Sequence, residues 1–153
     1  MNVFDIEMRR RALARRWRVV SGAVPLCIAA GELLYGTLGS ILLLSWPRLL
    51  QPMFALVVAG IVALRLAQRA WTPAWKGPSP PDGASAAILV GGAGRFLALA
   101  WGFAGACAAM GLLLLLAGAG RRHAYFFEGT AALYFVLYYP RRAFFERIVW
   151  LKL

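Results

Sequence analysis

The chain has 153 residues, of which 61% are hydrophobic and only 15% charged, with a formal net charge of +11. A soluble domain carries about 25% charged residues, and a chain this short has too little interior to hide so much apolar surface from water. Composition therefore excludes an ordinary soluble domain and points to one membrane-embedded, all-α unit. Nucleic acid is not expected as a partner of the positive charge, because the bases lie outside the apolar runs and no base-stacking aromatic pattern accompanies them.

In chain order, the first eighteen residues hold Arg9, Arg10, Arg11, Arg15, Arg16 and Arg18. With Asp5 as a cap and Glu7 in the first turn, residues 5–18 predict an amphipathic helix lying in the interface, Leu13 and Trp17 in lipid and the guanidinium groups among headgroups. A cleaved signal peptide is the competing reading. The apolar run that follows, residues 19–46, has 28 residues, against about 7–15 for a signal core, and no small-residue cleavage site follows it. An uncleaved first crossing over residues 19–45 is expected instead.

Trp46-Pro47-Arg48 and Gln51-Pro52 suggest an external turn, and residues 53–71 a second crossing. Residues 72–85, with Pro73, Pro78, Pro80, Pro81 and Gly83, form the one breaker-rich linker. Glycine-rich residues 86–94 suggest an interfacial or re-entrant lead-in to a third crossing at 96–117. A fourth, short and aromatic, is expected at 124–140. In the tail, 141–153, Phe144, Phe145, Ile148 and Val149 at helical spacing predict a second interfacial helix.

Charge sets the expected topology. With the N-terminus inside, fourteen Lys and Arg residues fall on inner segments and three, Arg48, Arg121 and Arg122, on outer turns. This split predicts four crossings with both termini cytoplasmic. Arg outnumbers Lys fifteen to two, a bias associated with GC-rich bacterial genomes, so a bacterial inner membrane is the expected location and anionic lipid headgroups are expected partners.

Glu32 falls near the middle of the first run, where an ionised carboxylate is costly. Its helical row, Gly22, Pro25, Ala29, Glu32, Gly36 and Gly39, is otherwise small or irregular, so a packing seam is expected there. Arg65, the deepest base of the second run, is its expected partner. Further seams are expected at Ala55, Ala59, Ala63 and Ala67, and at Ala98, Gly102, Gly105 and Ala109. These rows suit packing within the chain or against another copy equally well. Arg121, Arg122, His123 and Glu128 are expected to cluster at the outer mouth, with a local Glu–Arg pair snorkelling there.

His123 is the single histidine, so bis-His haem ligation within one chain is excluded. No metal-binding Cys/His set, catalytic triad or phosphate loop is legible, and neither cofactor, metal site nor catalytic residue is expected. Cys27 and Cys107 each sit in an apolar run and read as small core residues. Three functions fit: a non-enzymatic tetraspan subunit or assembly partner of a membrane complex, favoured; an oligomeric transporter or channel using Glu32; and a lipid-linked enzyme or redox anchor.

Overall fold

The computed structural model describes residues 3–38, 46–73 and 82–149. Gly39, the expected end of the first crossing at 39–45, linker residues 74–81, the end of the tail at 150–153 and the Cys27 side chain lie outside the described residues. The described chain is helical, with no strands: α1 Val3–Leu38, α2 Trp46–Trp71, α3 Gly83–Leu116, α4 Arg121–Leu137 and α5 Arg142–Val149. Three segments are long and apolar enough to cross a membrane: Asp5–Gly36, Pro47–Trp71 and Gly83–Leu116.

Several expected boundaries are corrected. Residues 5–18 are the first part of α1 and not a separate surface helix. The Trp-Pro-Arg and Gln-Pro turn signals lie inside α2, whose first turn carries Pro47 and whose interior carries Pro52. Proline is tolerated at the position of Pro47 because the first N–H groups have no helical acceptor anyway, whereas Pro52, in the second turn, gives up one helical hydrogen bond. Residues 86–94 are not a lead-in: α3 is one helix of 34 residues. It starts where the Asp82 carboxylate accepts the Ser85 N–H at 2.9 Å, the N-cap bond that satisfies an orphan donor. It ends at Leu116, and just beyond, Gly118 with a φ of 80° lets the chain turn in a conformation that side chains resist.

Contacts fix the helix directions. Ile6 joins Ala86 and Val90 in one core cluster and Gly31 lies against Leu112 and Leu115, so α1 runs parallel to α3. Gly60 meets Phe103 and Gly92 meets the Trp71 backbone, so α2 runs antiparallel to α3. The turn after α3 sends α4 back along it, with Phe103 on Tyr134 and Phe96 on Tyr138. α3 is therefore the axis of the bundle.

By helical rise α1 and α3 are each more than about 50 Å long, well beyond a hydrocarbon core of about 30 Å. Both overshoot α4 at the same end. There α5 folds back, burying Phe145 and Ile148 with Ile6, Ala86 and Val90. The expected surface tail is thus a packed element. Trp17, expected in lipid, donates its indole N–H to the Phe135 carbonyl at 2.9 Å and stands edge-on to Tyr139. This same end gathers the arginines of α1 together with Arg69, Arg95, Arg141, Arg142 and Arg147; the opposite end holds Arg48, Arg121 and Arg122.

Candidate functional site

The polar groups among the apolar helices gather at the end opposite the basic one. Glu32 lies six residues before the end of α1. Its carboxylate accepts Arg121 Nε at 3.1 Å and the Tyr125 hydroxyl at 2.5 Å. The Arg121 guanidinium lies 5.9 Å from the centroid of the Tyr35 ring, within cation–π reach. Tyr35 follows Glu32 by three residues, and Tyr125 follows Arg121 by four, so each pair shares a helix face. The result is a clasp that ties α1 to the start of α4.

The expected Glu32–Arg65 pair is corrected. Gly31 sits at the level of Leu112 and Leu115, whereas Leu64 packs with Phe96 and Ala100. By helical rise the two levels are about 20 Å apart along the axis. Run limits alone put Glu32 near the middle of the first run and make Arg65 the deepest base of the second. Because α1 begins at Val3 and overshoots at the basic end, Glu32 belongs near the other end.

The expected outer cluster also divides. Arg121 reaches across to Glu32, and Arg122 is exposed. His123 contacts the Ala119 carbonyl through Nδ1 at 2.8 Å. Glu128 does not pair with these arginines but turns into the bundle and is only 4% exposed. Its Oε2 has no hydrogen-bond partner among the described residues. Gly111 makes room for it: a Cβ there would stand 2.7 Å from Glu128 Cγ and 2.8 Å from the Ala124 carbonyl oxygen. Tyr125 and Tyr35 were missed as site residues. Their one signal in the sequence is their spacing from Arg121 and Glu32.

Most of the expected seam residues do not pack within the chain; packing against another copy, the other use expected of them, concerns faces that are open here. Gly22, Gly36, Gly102 and Gly105 have nothing within 4 Å of a would-be Cβ, and Ala29, Ala55, Ala59 and Ala63 are exposed. The close approaches use Gly31, Gly60, Gly92 and Gly111 instead. A four-residue spacing drifts about 40° around a helix at each step. The row from Ala55 therefore reaches the α3-facing side only near Ala67, which packs beside Leu64.

No group of three or more His, Cys, Asp or Glu side chains is placed to hold a metal ion among the described residues. Cys107 is a buried free thiol. Searches of protein families, characterised proteins and solved structures return no match for this chain.

Proposed function

We propose that this is a small non-enzymatic tetraspan protein of a bacterial inner membrane, both termini cytoplasmic, which serves as a subunit or assembly partner in a larger membrane complex. The observation that carries this reading is the position of α2. It is as apolar as α3, yet only Val57 and Leu64 of its described hydrophobic side chains are buried. Ala55, Ala59 and Ala63 are exposed on its far side, and small residues at this spacing let a second membrane helix approach closely. The α1–α4 clasp suits the same role, since its charged groups hold helices together.

Support for a fourth crossing comes from α4. Its 17 residues span about 26 Å, and it runs from the Glu32 level to the Trp17 level. Concentration of bases at one end supports placing that end in the cytoplasm. The test is extraction of the full chain in mild detergent, with the mass of the particle measured by light scattering. Ala59→Phe should shrink a larger particle to one chain without lowering its melting temperature. A wild-type chain that is already a lone monomer would count against the proposal.

Transport is a second reading, favoured by the buried, unpartnered Glu128 Oε2, because an acid inside a membrane bundle is a natural proton site. It transfers the coupling role expected of Glu32 to Glu128. Proton flux in proteoliposomes that is abolished by Glu128→Gln and kept by Glu32→Gln would favour it; no flux in the wild type would dismiss it.

A further inference from the structure

One large concavity lies away from the polar clasp. It is an open groove of about 1150 Å³ between the first half of α1 and the first two-thirds of α3. Because these helices run parallel, the groove has two chemically different ends. Arg9 and Arg95 line the end toward the helix starts, Arg15 and Arg16 lie further along α1, and among the described residues no acidic side chain lines any part of it. Glu7, the nearest carboxylate in sequence, is taken by Arg10 at 2.6 Å and Arg11 at 2.9 Å, neither of which lines the groove. The floor continues past Arg95 for about 15 Å of helix, over Ala98, Trp101, Gly102 and Gly105. Trp101 donates its indole N–H to the Tyr138 carbonyl at 3.1 Å, so its one polar atom is satisfied within the protein.

We infer that this groove binds an acidic phospholipid, with its phosphate among Arg9, Arg16 and Arg95 and an acyl chain along the floor to Gly105. Charge complementarity selects this occupant. An apolar helix from another protein would leave several guanidinium groups against hydrocarbon, at a cost of a few kcal/mol each. A lipid with an anionic headgroup satisfies the arginines and the floor together, through charge-assisted hydrogen bonds at one end and dispersion contact at the other. The site goes beyond general attraction to a charged surface because it demands both parts. It is independent of the assembly role, which concerns α2.

The test is native mass spectrometry of the full chain in detergent, titrated with phosphatidylglycerol or with phosphatidylcholine of the same acyl chains. One tightly held phosphatidylglycerol is expected, with phosphatidylcholine far weaker. Replacing Arg9, Arg16 and Arg95 by Gln should weaken phosphatidylglycerol binding by about fivefold per arginine and erase the preference. Gly102→Leu should block both lipids while leaving all arginines in place. It should fold, because nothing lies within 4 Å of a Cβ there. Arg141→Gln with Arg142→Gln, bases outside the groove, should change nothing.

Four results would overturn the inference. The first is equal retention of the two lipids. The second is an equal loss in the Arg141/Arg142 control, which would mean diffuse charge. The third is a dimer that replaces the lipid adduct and disappears in Gly102→Leu. Competition by inorganic phosphate that removes the adduct from wild type and leaves Gly102→Leu still binding lipid would likewise reduce the site to a phosphate patch.

Discussion

α2 and α3 are matched in apolar character and opposite in role. Of the most apolar eighteen residues in each, 44% are buried in α3 and 11% in α2. In water such a difference would leave α2 unstable, because its exposed Leu and Val side chains would face solvent. In a bilayer they face acyl chains, so hydrophobicity supplies no drive to bury them. Close fit decides instead: α3 is met on several sides by Gly31, Gly60, the Trp71 backbone and Ala124, whereas α2 is held along one side. An unburied membrane helix is therefore a surface available for partners and not a defect.

The comparison can be broken first in the core. Phe127 on α4 is fully buried in the core cluster with α3 residues and the Phe54 ring of α2, and Phe127→Ala should cost about 3 kcal/mol or more. Leu56→Ala, on the outward face of α2, should change stability by less than about 0.5 kcal/mol. Thermal unfolding in one detergent compares them, and equal losses would dissolve the distinction between axis and flank.

Glycines give the next largest effect. Gly92→Ala and Gly111→Ala force a Cβ against the backbone carbonyl oxygens of Trp71 and Ala124, which cannot swing aside. Each should cost about 1–3 kcal/mol. Gly22→Ala and Gly36→Ala meet open space and should be neutral or stabilising by up to about 1 kcal/mol. A uniform response across the four would show that the helices do not pack in this register.

The clasp should give a smaller signal. A double-mutant cycle of Glu32→Gln with Arg121→Gln should show coupling, and Glu32→Gln with Arg65→Gln should show none. Coupling to Arg65 alone would restore the partner expected from sequence.

The smallest effect is at the start of α3. Hydrogen bonds from Ser85 hold the Asp82 carboxyl below the usual aspartate range. A lowered folded-state pKa means that its stabilisation is present above the ordinary aspartate pKa and fades as pH falls through the folded value. The melting difference between wild type and Asp82→Ala should therefore be seen near pH 6 and vanish in strong acid. A difference that persists at low pH would deny the cap its role.

Helix content and the existence of long apolar helices were legible because they depend on composition and run length. The gathering of bases at one end followed from their positions in the sequence. Helix limits were less legible, since α1 and α3 continue beyond what a bilayer requires. Residues 5–18 and 86–94 are helical because neighbours support them: Ile6, Ala86 and Val90 share one cluster with Phe145. Such support comes from residues distant in sequence and leaves no local signal. The Glu32 partner failed for the same reason. Spacing shows which residues share a face, as with Glu32 and Tyr35, but not how far one helix slides along another. Glycine patterns do not tell which rows close on a helix of the same chain: the rows at Gly22 and Gly102 are the more regular, while the contacts within the chain use Gly31, Gly60, Gly92 and Gly111.

A cysteine placed at Ala59 reports whether the open face of α2 engages another membrane helix. In native membranes an Ala59→Cys chain, with Cys27 and Cys107 replaced by Ala, should be labelled slowly by a lipid-soluble maleimide, because a partner covers the site. It should be labelled rapidly once harsh detergent has separated the complex, as fast as Ala132→Cys, which lies on an exposed position of α4. Equal, rapid labelling of both sites in the intact membrane would show the α2 face bare to lipid and contradict the proposed assembly role.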